Sequence, residues 1–255
     1  MAVPILAAAL AVAGCASSQR QPSQPAPTPA EVYRSLLGRN PGLNSVRAVV
    51  EARISFGGRD VSLPGVLMLD AFGGFRLDLL DPLDRPLAIL FVENGRIVQY
   101  RPSLRLAASL GVFPADCRGV DPADWVAAIT ASSSGPVAGE QLADHWLLGG
   151  ERSFQRSRGS AAHQSVRYRG AGDMARPRLI SWYCGEDTVL QLRLSEWVQN
   201  AAWQLPSLVE IDYLKVGLTV RIELREIEGN PPPTSQPLLP RLGADIGWIS
   251  WNLPQ

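Results

Sequence analysis

Apolar and polar residues alternate along residues 46–56. Val46, Ala48, Val50, Ala52, Ile54 and Phe56 share one parity; Arg47, Val49, Glu51, Arg53 and Ser55 share the other. Successive side chains of a strand point to opposite faces, so this pattern predicts a long strand with one buried and one mostly wet face. Gly57-Gly58 turns the chain into a second strand over 60–70, and Gly73-Gly74 turns it into a third over 75–80. A fourth strand over 87–92 meets a fifth over 97–100 through Asn94-Gly95, a dipeptide suited to the positive φ values of a type I′ hairpin.

Helical patterning is confined to three short stretches. Thr28-Pro29-Ala30-Glu31 has the form of a capping box, with Pro at the first helical position, and Val32, Leu36 and Leu37 line one face before Asn40-Pro41. Residues 103–111 are amphipathic enough for a short helix. Asp121-Pro122-Ala123-Asp124 caps a clearer one through Ala131, with Trp125, Val126 and Ile129 on its apolar side. Strands resume from residue 144 to residue 227, ending in clean alternation of Val220, Ile222 and Leu224 against Arg221, Glu223 and Arg225. The predicted fold is mainly β (α+β): an incomplete antiparallel β-barrel of about 11 strands, apolar inside, curled around a helical plug.

The N-terminus is organised differently. Val3 to Ala13 is almost wholly apolar and runs into Val12-Ala13-Gly14-Cys15. The stretch is shorter than the ~20 residues that span a bilayer, and small residues at its end read as a cleavable signal. Ala-Gly-Cys resembles the lipobox of bacterial lipoproteins. That resemblance implies diacylglyceryl transfer to the Cys15 thiol and cleavage before it. No Lys or Arg precedes the apolar run, so the natural start is expected upstream of Met1. Ser, Gln, Pro and Ala dominate residues 16–29, a composition that buries too little apolar surface to fold. The expected layout is a signal peptide over 1–14, a lipidated Cys15 and flexible linker over 15–29, a folded domain over 30–228 and a Pro-rich extension over 229–255.

Composition narrows the function. Apolar residues make up 46% of the chain, enough for a sizeable core, and the net charge of zero argues against nucleic acid as a partner. Two cysteines remain besides Cys15: a Cys117–Cys184 bridge and two buried thiols are both open readings. Residues 152–178 carry Arg152, Arg156, Arg158, Arg167, Arg169, Arg176 and Arg178 against Asp173 as the one acid. Solvated strand faces and a basic surface toward anionic head groups or an acidic carrier protein both fit this run, the first better, since Lys215 is the only lysine in the chain. Catalysis finds no support. His145 and His163 sit on separate predicted elements without metal-ligand spacing, and no nucleophile elbow, phosphate loop or dinucleotide fingerprint occurs. No enzyme activity, cofactor or metal is expected.

The order of elements and several local motifs resemble the LolA/LolB family of periplasmic lipoprotein carriers, and LolB best. Arg76-Leu77-Asp78-Leu79-Leu80-Asp81-Pro82-Leu83 is similar to the LolB strand that runs into a protruding loop. Leu110-Gly111-Val112-Phe113-Pro114, followed by Trp125, and Leu205-Pro206 with Val209-Glu210-Ile211 match later LolB motifs in the same order. The match spans residues 30–227. Asp84-Arg85 departs from it where LolB carries Gly-Ser, and the chain after residue 228 has no counterpart.

The resemblance implies an outer-membrane lipoprotein on the periplasmic face. It would take acyl chains of lipoproteins or lipids, receive cargo from a periplasmic carrier protein and act as a monomer. Pro82 and Leu83 would form the membrane-insertion loop, although the flanking charges also allow Leu83 to fold back beneath it. Val50, Ile54, Leu67, Leu69, Leu77, Leu79, Ile89, Phe91 and Trp182 are the candidates for an apolar acyl-chain lining, with plain core as the alternative for most. The alternative for the whole chain is a structural or interaction lipoprotein with the same fold, a filled core and no transfer activity.

Overall fold

The computed structural model describes residues 27–70, 74–93, 96–110, 122–131, 141–147, 151–158, 162–169, 175–199, 202–214, 217–231, 240, 242 and 246–250. The signal peptide, Cys15, most of the linker, Cys117 and the Asn94-Gly95 turn lie outside them.

Helix α1 (Pro29–Leu37) starts as its sequence predicts. The Thr28 backbone N–H donates to Glu31 Oε2 at 2.7 Å, and the Thr28 hydroxyl accepts from the Glu31 N–H, which closes the capping box. A six-strand meander follows: β1 (Ser45–Phe56), β2 (Arg59–Asp70), β3 (Phe75–Leu80), β4 (Pro86–Glu93), β5 (Arg96–Arg101) and β6 (Leu106–Leu110). Helix α2 (Pro122–Thr130) leads to β7 (Gln141–Trp146), β8 (Arg152–Arg158), β9 (Ala162–Arg169), β10 (Arg176–Cys184), β11 (Asp187–Gln199), β12 (Gln204–Tyr213) and β13 (Leu218–Gly229). The tail adds β14 (Gly247–Ser250).

The strands of the described residues join one 14-stranded sheet, ordered β14-β6-β5-β4-β3-β2-β1-β13-β12-β11-β10-β9-β8-β7. The two meanders meet where β1 pairs antiparallel with β13, with Val50 opposite Leu224 and Ala52 opposite Ile222. The sheet is open, with β14 and β7 at its edges, and it holds more strands than the pattern predicts.

Two of the extra strands lie side by side, and the first has a clear cause. Of the expected helix over 103–111, the described residues 103–110 are not α-helical. Pro102–Leu104 forms one 3-10 turn, Arg105 ends it at φ 50°, and Leu106–Leu110 then pairs with β5. Leu106-Ala107-Ala108-Ser109-Leu110 suits helix and strand alike, and the open edge of β5 decides. In the tail, β14 pairs parallel to β6, with Trp248 opposite Ala107.

The register separates two faces. The inner face carries Val46, Ala48, Val50 and Ala52 of β1 with Leu67, Leu69, Leu77, Leu79, Ala88, Ile222, Val209, Leu192, Ile180 and Trp182. These residues form one core with Val32, Tyr33, Leu36 and Leu37 of α1 and Val126 and Ile129 of α2. Asn40 ties the helix ends to the sheet. Its amide donates to Thr130 O at 2.7 Å and Gln204 O at 2.8 Å, and its Oδ1 accepts from the Gln204 N–H at 3.0 Å.

The outer face has a smaller core of Ile89, Phe91, Val98 and Ala107, covered by Leu242 and Ile246 from the tail. Beside it lies the Arg76–Asp78 ion pair at 2.7 Å, with side chains 7% and 6% exposed. One close approach constrains β2: a Cβ on Gly65 would sit 2.4 Å from the Asp78 carbonyl oxygen of β3.

Candidate functional site

The loop between β3 and β4 is built around one carboxylate. Asp81 Oδ1 accepts the backbone N–H of Leu83 at 2.8 Å and of Arg85 at 2.9 Å, and Asp81 Oδ2 accepts from the Arg85 guanidinium at 2.8 Å. The Asp84 N–H donates to Asp81 O at 3.0 Å, and Asp84 takes the left-handed conformation at φ 58°. These bonds turn the chain so tightly that Leu83 cannot tuck beneath it. Leu83 is 71% exposed, the most exposed large apolar side chain among the described residues, and Pro82 beside it is exposed as well. The Arg85 side chain, as hydrogen-bond donor, holds the Asp81 carboxyl below its ordinary range, with the Arg85 and Leu83 backbone N–H groups acting in the same sense.

Leu83 has apolar company at the same end of the sheet. Phe56 closes β1 and pairs with Arg59 across the first hairpin turn, and Val61 is two residues into β2. Leu87 is the second residue of β4, Leu104 ends the 3-10 turn after β5, and Leu214 follows β12. All are exposed. The opposite end carries the Asn40–Gln204 network instead.

The expected lining residues divide between the two faces. Val50, Leu67, Leu69, Leu77, Leu79 and Trp182 are buried on the inner face, and Ile54 packs there partly buried. Ile89 and Phe91 do not belong with them. Leu77 pairs with Leu90 and Leu79 with Ala88, so Ala88 and Leu90 face inward and Ile89 and Phe91 face outward, under Leu242 and Ile246. Leu87 to Val92 is apolar throughout, so parity there carries no signal, and the irregularity between Leu79 and Leu80 shifts the register further.

The inner face of β7 to β10 is more polar than the pattern predicts. Arg152 pairs with Asp144, which also accepts from the Tyr168 hydroxyl at 2.9 Å. Burial raises the Tyr168 pKa. Arg156 donates to the Tyr33 hydroxyl at 3.3 Å, and the Tyr33 ring meets Phe154 edge-on at 5.9 Å. The arginine run is thus split: Arg152 and Arg156 point in, whereas Arg169 and Arg178 point out and share Glu151.

Tyr33, Arg156 and Gln164 had no place in the expected site. The signal for Gln164 was its parity with Val166 and Tyr168 in β9. His163 stacks on Tyr183 at 4.4 Å, and no group of three His, Cys, Asp or Glu able to hold a metal occurs among the described residues. Cys184 is disulfide-bonded, while Cys117 lies outside the described residues. No helix among them is long and apolar enough to cross a membrane.

Comparison with solved structures shows a LolA-like fold. A domain described as an outer membrane lipoprotein-sorting protein from Vibrio parahaemolyticus superposes with a TM-score of 0.54 at 10% identity, covering 81% of this chain and 94% of that one. A LolA superfamily protein from Nitrosomonas europaea gives 0.52 at 10% identity, over 81% and 96%. A DUF1329 family protein from Desulfovibrio piger gives 0.51 at 11% identity, over 82% and 96%. At such identities the likeness is one of fold. No family model and no curated protein matches the sequence.

Proposed function

We propose that this chain is a lipid-anchored envelope protein, of LolB type, that takes acyl chains of lipoproteins or lipids against its inner sheet face and delivers them to the outer membrane. The observation that carries this reading is Leu83: an apolar side chain held outward by a braced loop, on the sheet end that also exposes Val61, Leu87, Leu104 and Leu214. Transfer of one such leucine into lipid is worth roughly 1.5–3 kcal/mol, which suits transient contact and not anchorage. Anchorage belongs to Cys15. The Cys184 disulfide fits an oxidising compartment, and the fold is shared with a protein described as lipoprotein-sorting.

In this reading the outer membrane is the address, an acylated lipoprotein or lipid is the ligand and a periplasmic carrier protein is the donor. The test is Leu83→Glu in the full chain. The variant keeps the wild-type circular dichroism spectrum and melting temperature and loses lipoprotein delivery in a reconstituted transfer assay. Delivery at the wild-type rate would overturn the proposal.

One observation favours a second reading, a structural or interaction lipoprotein without transfer activity. The inner face is packed: Leu67, Leu77, Ile180 and Leu192 are buried against each other and the two helices. Acyl lipid retained by the full chain through purification, detected by native mass spectrometry, supports the carrier; its absence supports the structural protein.

A further inference from the structure

The turn between β5 and β6 stands beside the Leu83 loop. Ile89 of β4 pairs with Tyr100 of β5, so Arg101 lies level with Ala88 and the turn continues past Leu87. Hairpin tips two strands apart in one sheet are ~10 Å from each other. The turn reads Arg101-Pro102-Ser103-Leu104-Arg105. Leu104 is 56% exposed, and both arginines are exposed as well. The Arg105 N–H donates to Pro102 O at 3.2 Å, and the Gly247 N–H of the tail donates to Arg105 O at 3.1 Å. Arg105 sits at φ 50°, a conformation that costs a residue with a side chain, and these two bonds hold it there. The tail thus braces this turn as Asp81 braces the other.

The two loops differ in charge. The Leu83 loop carries Asp81 and Asp84 against Arg85, whose guanidinium is engaged by Asp81. Residues 101–105 carry two arginines and no acid, and the Arg101 side chain has no hydrogen-bond or ion-pair partner among the described residues. Farther along the same end of the sheet, the β10–β11 turn exposes Glu186 and Asp187 and no large apolar side chain. Apolar tips and unpaired positive charge therefore coincide on the β3–β6 side of this end. An exposed leucine flanked by arginines is complementary to a surface that is hydrocarbon beneath a layer of anionic oxygens. The arginine stem lies along the hydrocarbon while its planar head donates to phosphate. An acidic protein would match the charge and leave the leucine unexplained.

We propose that the β5–β6 turn is a second membrane contact, in which Leu104 enters the acyl layer and the Arg101 guanidinium binds the phosphate of an anionic phospholipid. This rests on the reading of this sheet end as the one that meets the membrane. It adds a lipid preference that the Leu83 loop, with its two acids, does not supply.

The full chain is reconstituted into vesicles of phosphatidylcholine alone and of phosphatidylcholine mixed with phosphatidylglycerol, and amide hydrogen exchange is followed in both. Exchange at Ser103 and Leu104 is slower on the anionic vesicles by about fivefold, the ordinary contribution of one basic side chain at an anionic surface. Arg101→Gln abolishes that difference and keeps the wild-type melting temperature, because it removes no partnered group. Leu104→Ser removes the protection on both kinds of vesicle. Equal exchange at Ser103 and Leu104 on the two vesicles, or a difference that persists in Arg101→Gln, overturns the proposal. Protection of residues 82–87 in the same samples would then still uphold the Leu83 contact. Absence of protection at 103–104 together with protection at 82–87 assigns the turn to an acidic protein instead and also overturns the proposal. Absence of protection at both loops on both vesicles overturns the membrane reading of this end as well.

Discussion

Asp81 sets the position of Leu83: one carboxylate oxygen takes the Leu83 backbone N–H at 2.8 Å and the Arg85 N–H at 2.9 Å, so the side chain between them is turned to solvent. An acidic residue two positions before an exposed leucine is thereby part of whatever the leucine does. Asp81→Ala removes three hydrogen bonds at once and frees the loop, whereas Asp81→Asn keeps the two backbone bonds and loses the charge pairing with Arg85. The expected result is membrane contact impaired in Asp81→Ala and largely retained in Asp81→Asn, read by vesicle flotation of the protein. Equal behaviour of both variants would show that loop order is immaterial.

The same carboxylate makes a statement about pH. Its folded-state pKa is lowered, chiefly by the Arg85 side-chain hydrogen bond. A depressed carboxylate contributes order that is fully present above its unfolded pKa and is lost as pH falls through the folded one. Loop geometry is therefore constant across neutral pH and loosens only below about pH 4, the ordinary carboxylate range. Chemical shifts of the Leu83 methyl groups followed from pH 7 to pH 3 check this. A transition near pH 6 would contradict it.

Much of the fold was legible because one face is buried and the other wet. Alternation in β1 and β13 gives their inner residues directly, and the register pairs them as parity requires. Legibility failed where that contrast disappears. In β4 both parities are apolar, since Ala88 and Leu90 pack into one core and Ile89 and Phe91 into another. The second core exists because the tail returns over it, and nothing local to β4 announces that. From its charged and proline neighbours Leu83 was expected to fold back, and only the resemblance made the exposed side an even choice; in the structure it is exposed, with the Asp81 bonds bracing the turn. Gln164 went unread and Arg156 was read within a solvated or basic outer face for the opposite reason: polar residues on an inward parity read as solvated until their burial is seen.

Asn40 shows how a residue legible only as a helix stop can be structural. Its side chain bridges α2 and β12 with three hydrogen bonds, all buried. Asn40→Ala leaves the Thr130 and Gln204 carbonyls and the Gln204 N–H short of partners, at a cost of about 3 kcal/mol. Urea denaturation of the variant measures it. A change below about 1 kcal/mol would mean that water replaces the side chain.

The bridge to Cys184 is expected to come from Cys117, because the remaining cysteine, Cys15, is the lipidation candidate. Closing the long segment between them constrains the unfolded chain and contributes about 4 kcal/mol. Peptide mapping without reductant recovers Cys117 and Cys184 in one species, and reduction lowers the melting temperature. Recovery of a free Cys117 thiol would exclude the pairing.

The tail carries the last prediction. Leu242 and Ile246 close the outer core over Ile89, Phe91 and Val98, and β14 occupies the edge that β6 would otherwise present. Truncation after Asn230 leaves the inner core intact, exposes that apolar patch and opens a strand edge, two features that favour self-association. The cost falls on the β4–β6 side of the sheet and not on the β1–β13 junction, so the loss is local. Hydrogen exchange of the truncated chain therefore accelerates in β4, β5 and β6 and stays at the full-length rate in β1 and β13, while size-exclusion chromatography shows larger species. Uniform acceleration in every strand would instead make the tail part of a single cooperative unit.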